Sequence, residues 1–358
     1  MDLIMRSAIP VCFSTWVCLA AWASPGLARS VTEEAPAEAA PSGEQRRTAF
    51  RYAGAIRDLP PNSRVRVWLP VASDSNHQTI DSLDWDIAAD SGLGKESRYG
   101  NWMLYFELQP AEQMDFPFEV NYVVTRRELR SLDQPRPAEL SNRSRARFLK
   151  PNRLVPIAGA PVELLEGMEL PEEPLDLGRA LYNRVEQHMT YGKSQPGYGQ
   201  GDVAWACESR TGNCTDFHSL FISLARSQGL PARFEIGFPL PADKTTGKVG
   251  GYHCWCSFFV PRYGWVPVDI SEADKHPEMK PYYFGNLTPH RITFSTGRDL
   301  ELEPAQQGPP LNYFVYPYVE VDGQSWPAEK IDLKFEFSDQ PDEETGSGEE
   351  DYSLGSSD

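Results

Sequence analysis

The chain has 358 residues, of which 51 are acidic and 34 basic, so its formal net charge is −17. Such an excess of negative charge argues against binding to nucleic acids or to anionic membranes. The length is typical of about two compact domains, which are large enough to fold without disulfides or bound metals.

The N-terminal residues have the features of an export signal. Arg6 precedes an apolar run from residue 9 to residue 23, which is short for a membrane span and is followed by small-x-Ala cleavage sites. We therefore expect residues 1–28 to be a signal peptide that directs the protein to the periplasm or the extracellular space. After its removal we expect no attachment to a membrane.

Two further segments lack the composition of a packed domain. Residues 29–46 are small, charged and proline-bearing, which predicts a disordered linker. Residues 338–358 contain eight acidic side chains and no basic one, which predicts a disordered acidic tail.

Alternating apolar and polar residues, separated by turn-forming clusters, predict an N-terminal all-β domain at 47–135. The polar stretch 131–160 that follows carries Arg143, Arg145 and Arg147, and we expect it to be a solvated connection. Residues 136–337 are expected to form the catalytic domain and the strands that complete its sheet. The fold class is therefore α+β.

The stretch 210–231 has apolar side chains at helical spacing, and Gly229 and Pro231 terminate the pattern; the apolar positions are Phe217, Leu220, Phe221, Leu224 and Ala225. Gly212 and Asn213 supply a turn and a cap, so Cys214 is placed in the first turn of the helix. There the positive end of the helix dipole favours the thiolate, which is the nucleophilic form of cysteine.

Two strands downstream of this helix provide the partners that a nucleophilic thiol needs. The segments 251–260 and 263–270 read as strands of one hairpin, which brings His253 and Asp269 onto neighbouring strands. Nucleophilic catalysis by a thiol uses an imidazole that exchanges the proton and a carboxylate that orients the imidazole. Cys214, His253 and Asp269 are therefore the predicted catalytic triad.

Several short segments, in this order, resemble the signature blocks of the transglutaminase-like superfamily: GNCTDF at 212–217, GLPAR at 229–233, GYHCW at 251–255 and GWVPVD at 264–269. The resemblance implies a papain-like core, in which a nucleophile helix packs on an antiparallel sheet, with the same triad. It also implies an oxyanion hole that uses the backbone N–H of Cys214 and an upstream side chain. Tyr191, Tyr198 and Trp205 are the candidates for that side chain, and the sequence does not separate them.

The remaining histidine and cysteines offer alternatives. His218 is a less favoured base, because it lies one turn further along the helix. A metal site built from Cys207, Cys214, His253, Cys254 and Cys256 is disfavoured, because neighbouring strand residues point to opposite faces and no Cys-x-x-Cys pair is present. By the same alternation, Cys254 and Cys256 are expected to point away from the triad. In an oxidising compartment, a disulfide from Cys207 to Cys254 or Cys256 is the favoured pairing.

The expected activity is acyl transfer or hydrolysis on protein or peptide amides through a thioester, without a cofactor or a metal. No alternating Asp/Asn calcium loop is evident in the sequence, so the metal dependence of animal members of the superfamily is not carried over. A cysteine peptidase of the same fold and a catalytically idle binding protein are the alternatives.

Overall fold

A computed structural model of the protein describes residues 43–133 and 135–341. The predicted signal peptide therefore lies outside the described residues, as do most of the predicted linker and acidic tail. The helices are α1 (Asn142–Leu149), α2 (Ala160–Glu163), α3 (Pro174–His188), α4 (Val203–Ser209), α5 (Cys214–Ser227) and α6 (Ile270–Lys275), with 3₁₀ turns at Pro277–Met279 and Ala328–Lys330.

β-Strands make up most of the regular structure in the described residues, and they pair antiparallel except for the short parallel pair of β8 and β9. They are β1 (Gln45–Leu59), β2 (Val65–Val71), β3 (Gln78–Ile87), β4 (Ser91–Lys95), β5 (Trp102–Leu108), β6 (Met114–Arg127), β7 (Leu129–Arg130), β8 (Thr190–Tyr191), β9 (Thr211–Gly212), β10 (Ala232–Pro239), β11 (Thr246–Val249), β12 (His253–Val260), β13 (Gly264–Val268), β14 (Asn286–Leu287), β15 (Arg291–Thr296), β16 (Tyr318–Val321), β17 (Gln324–Ser325) and β18 (Ile331–Asp339).

The strands at the two ends of the described chain share the same sheets. One five-stranded sheet has the order β11-β18-β1-β6-β3, and a second has the order β17-β16-β2-β5-β4. Phe50 of β1 is paired with Phe337 of β18, and Val67 of β2 is paired with Val319 of β16. The N-terminal region is rich in β-structure, as predicted, but its sheets are completed by strands from beyond residue 245. The strands β1 and β18 also extend into the predicted linker and tail, to Gln45 and Asp339 respectively.

A four-stranded antiparallel sheet, with the order β13-β12-β10-β15, carries the functional residues. Its hairpin β12–β13 turns at the predicted position, where Val260 is paired with Gly264. Helix α5 packs on β12 and β10, while α3, α4 and α6 pack around the helix. The core of this region is thus a helix covered on all sides, as the papain-like arrangement requires.

Burial of α5 explains why its position is fixed. Every residue from Cys214 to Arg226 is buried. Phe217, Leu220, Phe221 and Leu224 have no exposed surface, and each such side chain contributes roughly 1.5–3 kcal/mol of hydrophobic stabilisation. A helix anchored in this way holds its first residue, Cys214, at one place relative to the sheet.

The stretch 131–160 is more ordered than expected, because it contains helix α1. The Ser141 hydroxyl caps this helix by accepting the N–H of Ser144 at 3.1 Å. Phe148 is the buried residue of the helix, and its ring makes an edge contact with Trp265 at 4.9 Å. One aromatic anchor and one cap therefore dock an otherwise polar helix. In the described part of the chain, no helix combines the length and the apolar character that crossing a bilayer would need.

Candidate active site

The local sequence places Cys214 as the first residue of α5. Asn213 is the N-cap: its Oδ1 accepts the N–H of Thr215 at 2.8 Å, and its own N–H donates to Asp216 Oδ2 at 2.9 Å. These reciprocal bonds start the helix at the predicted position. The N–H of Cys214 has no helical carbonyl four residues before it, so it is not paired within the helix.

His253 is the first residue of β12 and connects the sulfur to an acid. Its Nε2 lies 2.8 Å from Oδ2 of Asp269. Its side chain is also hydrogen-bonded to that of Cys214, which leaves Nδ1 as the ring nitrogen that faces the sulfur. The structure therefore brings together the three residues that the sequence singled out.

Asp269 reaches His253 by a different route from the predicted one. Strand β13 ends at Val268, and Val268 is paired with Cys256, so Asp269 is not directly opposite His253. Asp269 is instead the N-cap of α6, and its Oδ1 accepts the N–H of Glu272 at 3.2 Å. One oxygen of the Asp269 carboxylate thus bonds to His253, while the other caps α6.

Arg291 is a part of this cluster that sequence reasoning missed. Its Nη1 donates to Oδ2 of Asp269 at 3.0 Å, and its guanidinium lies 4.8 Å from the centre of the buried Trp255 ring. Arg291 begins β15, which pairs with β10 next to Gly237. A Cβ at position 237 would collide with the backbone oxygen of Ile292, so glycine permits this close approach of β15.

The buried charges of the site set its protonation state. Burial alone would raise the pKa of the Cys214 thiol, but hydrogen bonds with Cys254 and His253 and the positive charge of His253 lower that pKa well below its usual value. Burial disfavours the charged form of His253, yet the charge of Asp269 and its hydrogen bond raise the pKa of His253 to about 9. The charges of His253 and Arg291 outweigh the effect of burial on Asp269 and keep the pKa of its carboxyl low. The favoured state is a thiolate–imidazolium pair beside an ionised carboxylate.

The cysteines differ from the sequence-based expectation. Cys207, Cys214, Cys254 and Cys256 are all free thiols, so the expected disulfide from Cys207 is wrong. Cys254 does not point away from the triad either. Its Sγ is hydrogen-bonded to Cys214 and lies 3.7 Å from both Thr215 Oγ1 and His218 Nδ1. Helix α5 packs on the face of β12 that carries Cys254, and Cys214 begins that helix next to the first residue of the strand. The side chains of both His253 and Cys254 therefore reach Cys214.

His218 packs against the triad, but its own ring is uncharged. Its Nε2 accepts the N–H of Ile270 at 3.0 Å, and its ring is hydrogen-bonded to the backbone of Cys214. Burial lowers the pKa of His218 to about 4, so the ring is neutral near pH 7. With Nε2 acting as an acceptor, the proton is on Nδ1. His218 therefore joins the first turns of α5 and α6, the two helices that carry Cys214 and Asp269.

A glycine-rich loop, Pro196–Gly201, is held over the first turn of α5 by two buried charged groups. The carboxylate of Asp216 accepts the N–H groups of Gly199 and Gly201 at 2.7 and 2.8 Å. The Arg298 guanidinium donates to the carbonyl oxygens of Gln200 and Gly201 and contacts Ser219 on α5. Gly201 has a φ of +59°, and a Cβ there would collide with Ser219.

The three oxyanion candidates occupy different environments. Tyr191 is half-buried. Burial is the main cause that raises the pKa of its phenol, and the charge of Cys214 is the second. The ring therefore lies within electrostatic range of the sulfur. Tyr198 lies on the glycine-rich loop and is 40% exposed. The Trp205 indole packs under that loop, directly against Gly197.

Tyr252 is a second residue that the sequence did not single out. Its hydroxyl is 3.2 Å from Asn213 Nδ2 and 2.9 Å from Thr215 Oγ1, so the residue before His253 is bonded to both residues that flank Cys214. Its ring lies 5.4 Å from that of Tyr313. This direct bond between β12 and the start of α5 helps to fix the distance between base and nucleophile.

The described residues contain one group of side chains with the spacing of metal ligands, and it overlaps the triad. Ligand atoms of His253, Asp269 and Glu272 lie within 4.8 Å of one another. The Asp269 oxygen that faces His253 already accepts the positively charged guanidinium of Arg291. A cation in this group would have to separate His253 from Asp269 and would be repelled by Arg291.

Comparisons with known proteins agree with this architecture. Residues 163–270, which include Cys214, His253 and Asp269, match the family model described as the transglutaminase-like superfamily. A curated protein of Haemophilus influenzae, described as uncharacterized, is 32% identical over 182 residues, which are 42% of this chain and 49% of that protein. The chain thus spans about half the length of that curated relative.

Solved structures resemble the chain in fold. One from Cytophaga hutchinsonii, described as a candidate cysteine protease, has a TM-score of 0.53 at 14% identity, and the match covers 83% of this chain and 99% of that one. The periplasmic domain of TgpA from Pseudomonas aeruginosa matches with a TM-score of 0.32 at 18% identity, over 70% and 97% of the two chains. Residues 163–270 thus match the transglutaminase-like family model, within an α+β chain whose N-terminal region is rich in β-structure.

Proposed function

We propose that this protein is an exported thiol enzyme that performs acyl transfer or hydrolysis on protein or peptide amides. The hydrogen-bonded chain from the Cys214 thiol through His253 to Asp269 is the observation that carries this proposal. These groups supply a nucleophile, a proton carrier and an orienting anion, which together are sufficient for amide chemistry through a thioester. The export signal predicted from the sequence of residues 1–28 is the basis for the proposed location.

In the first step the Cys214 thiolate attacks the carbonyl carbon of a side-chain or peptide amide. The carbonyl π electrons move to oxygen, and the Nδ1–H of His253 gives its proton to the departing amine. The products are a Cys214 thioester, a neutral amine and a neutral His253. Asp269 stays ionised throughout and keeps Nε2 protonated by accepting its hydrogen bond.

In the second step the neutral His253 takes a proton from the acyl acceptor, which attacks the thioester carbon. Water as the acceptor gives a carboxylic acid, whereas a primary amine gives a new amide and hence a cross-link. In both cases the sulfur leaves as the thiolate and His253 is protonated again, so the cycle closes. No cofactor is required for either outcome.

The negative oxygen of each tetrahedral intermediate needs donors near the sulfur. The N–H of Cys214 is the first donor, because it is unpaired in the helix and lies at the positive end of the dipole. We assign the second to Tyr191, because its phenol lies within electrostatic range of Cys214. Replacement of Tyr191 by Phe is expected to lower kcat by about 100-fold, as for the loss of one such donor. The same change at the exposed Tyr198 is the control.

Selective alkylation tests whether Cys214 is the activated thiol. Burial raises the pKa of Cys207 to about 11, and Cys254 and Cys256 are also shifted upward by burial. At pH 6.5–7, limiting iodoacetamide is therefore expected to label Cys214, although Cys207 is the more exposed thiol, and mass spectrometry of the digest identifies the site. Cys214→Ala should abolish amide turnover and Cys207→Ala should not. Labelling at Cys207 first, or turnover by Cys214→Ala, would contradict the proposal.

The acyl acceptor is identified by competition between water and an amine. A glutamine-rich protein is incubated with the enzyme and a fluorescent primary amine, and both incorporated amine and released ammonia are measured. Incorporation identifies a transferase, and ammonia without incorporation identifies a hydrolase or deamidase. New peptide termini identify the peptidase alternative. If wild type and Cys214→Ala give equal signals in all three assays over a panel of unfolded proteins, the protein is a binding protein rather than an enzyme.

A further inference from the structure

A basic cleft lies at the opposite end of α5 from Cys214. Its volume is about 390 Å³, and its lining residues are Ser97, Arg98, Arg143, Ala146, Arg147 and Lys150. Four of these six residues are cations. Arg143 and Arg147 lie four residues apart on one face of α1, and Lys150 is the C-cap of that helix. Loop residue Arg98 faces them from the other wall.

These four cations have no ion-pair partner in the part of the chain that the structure describes. Within the described residues, none of them has a carboxylate oxygen within 4.0 Å, whereas Arg46, Arg51, Arg57, Arg64 and Arg66 on the sheets all form ion pairs. The guanidinium of Arg98 instead contacts the backbone oxygen of Asp299 at 3.4 Å and the Tyr99 ring. In a chain with 51 acidic and 34 basic residues, a cleft whose cations lack acidic partners is unexpected from composition alone.

The two walls of the cleft are fixed to each other. The Tyr99 ring from the loop lies 6.1 Å from the ring of Phe148 on α1, which itself packs on Trp265. The loop is held from inside by Glu96, whose carboxylate accepts the N–H groups of Arg98, Tyr99 and Asn101. Glu96 therefore fixes the backbone of the loop that carries Arg98, and its carboxylate is not among the groups that line the cleft.

A fifth cation lies behind the cleft. The buried Arg226 guanidinium donates to the backbone oxygens of Lys150 and Ala232 and to Asn152 Oδ1, which are all neutral acceptors. Burial, followed by smaller effects that include the positive charges of Arg298 and Arg98, lowers the pKa of Arg226 to about 10. Arg226 remains charged near neutral pH, and its hydrogen bonds go to neutral oxygens, although the charge of Asp299 also acts on it.

We propose that the basic cleft binds a phosphate-bearing ligand. Several positive charges around so small a volume favour a compact anion with more than one negative charge. A phosphate monoester carries about −1.5 to −2 on three acceptor oxygens. Arginine presents paired donors that match two phosphate oxygens, and three of the four lining cations are arginine. A single carboxylate would leave most of the positive charge unbalanced. The acidic character of the whole chain conceals this local site.

The cleft is separate from the proposed catalytic chemistry. Cys214 is in the first turn of α5 and Arg226 in the last, so about 20 Å of helix lies between the two ends. Binding in the cleft therefore serves to locate the protein or to retain a phosphorylated molecule, and it does not contribute to bond breaking. It can also be tested whether or not the enzyme proposal holds.

The test uses the full chain with two probes that separate the sources of phosphate. Calorimetric titration with pyrophosphate measures binding of a free ligand, and co-sedimentation with phosphatidic acid vesicles measures binding of a lipid headgroup. Phosphatidylcholine vesicles are the blank. Binding of either probe supports the site and identifies its source. Failure to bind either one at 50 mM salt overturns the proposal.

Two double variants with the same change in charge decide whether the cleft itself binds. Arg143→Ala with Arg147→Ala removes two lining cations, and Arg145→Ala with Arg153→Ala removes two exposed cations that do not line it. The first pair is expected to weaken binding at least about 100-fold, since each charge-assisted contact is worth roughly tenfold or more, and the second pair less than about threefold. Equal weakening by both pairs would show diffuse surface attraction and contradict the site. Lys150→Gln provides an independent lining variant if the first pair lowers the melting temperature.

Discussion

The two ends of helix α5 differ in how their buried charges are paired. At the first turn, the fully buried Asp269 is bonded to both His253 and Arg291, and the imidazolium is balanced in turn by the Cys214 thiolate. At the last turn, the buried Arg226 donates its hydrogen bonds to neutral oxygens, and the cations of the basic cleft beyond it have no ion-pair partner among the described residues.

This difference indicates what each end is suited to do. A closed set of opposite charges fixes protonation states within the protein, as a reaction that moves one proton between sulfur, nitrogen and leaving group requires. An unbalanced set leaves potential available to an external anion. The fold supplies the same rigid helix to both ends, so substitutions at one end can be compared directly with substitutions at the other.

The largest expected effect comes from removing the base at the catalytic end. His253→Ala should lower amide turnover at least about 1,000-fold, because the thiol loses its proton carrier and the departing amine loses its acid. The variant should also move the pH midpoint of Cys214 alkylation upward, to that of a free or buried thiol. His276→Ala, at a side chain that is 53% exposed, is the matched control and should leave turnover unchanged. Turnover by His253→Ala at more than a tenth of the wild-type rate would contradict the triad.

Arg291→Met tests whether the catalytic end is a closed set of charges. Removing one partner of this buried pair should cost about 3–5 kcal/mol of unfolding free energy, measured by urea denaturation. The loss of a nearby positive charge should also raise the pKa of His253 above about 9, so the fall in turnover at alkaline pH should move upward. Arg291→Lys keeps the positive charge, so most of the stability and most of the wild-type pH profile should be restored. If the variant loses stability but the fall in turnover at alkaline pH does not move, Arg291 has only a structural role.

Arg226→Met provides the corresponding change at the other end of the helix. The carbonyl groups of Lys150 and Ala232 and the Asn152 amide lose charged donors, so we expect a stability loss of about 2–4 kcal/mol. Because this arginine has no contact with the triad, the pH profile of Cys214 alkylation should not change. A shift in that profile would mean that the two ends are electrostatically coupled and that the comparison fails.

Tyr252→Phe should have the smallest effect of the series. The variant loses the hydroxyl bonded to Asn213 and Thr215, which is worth about 1 kcal/mol of stability. Since these bonds hold the base strand against the start of α5, kcat should fall about threefold to tenfold with KM little changed. The measurement is steady-state kinetics, and Tyr263→Phe, on the β12–β13 turn, is the control. A change in KM alone would assign Tyr252 to substrate contact instead.

The sequence predicted what depends on local patterns. The helical spacing after Cys214, the cap at Asn213 and the turn between β12 and β13 are short-range features, and the structure has them where expected. What the sequence did not reveal depends on the approach of distant segments. Arg291 follows Asp269 by 22 positions and reaches it only because β15 pairs with β10 at Gly237. The surroundings of Cys254 depend on which face of β12 is covered by helix α5. The alternation of residues along one strand does not reveal which face that is.

The central claim is that Cys214 and His253 form a thiolate–imidazolium pair, and the pH dependence of Cys214 alkylation tests it most directly. The rate of iodoacetamide modification at Cys214, followed by mass spectrometry from pH 4 to pH 10, should remain close to its plateau at pH values well below the midpoint of an ordinary thiol. Amide turnover should fall as the pH rises through about 9, where His253 loses its proton, while alkylation continues. A single rise in alkylation with its midpoint at or above about 8.5, as for an ordinary thiol, would contradict the account.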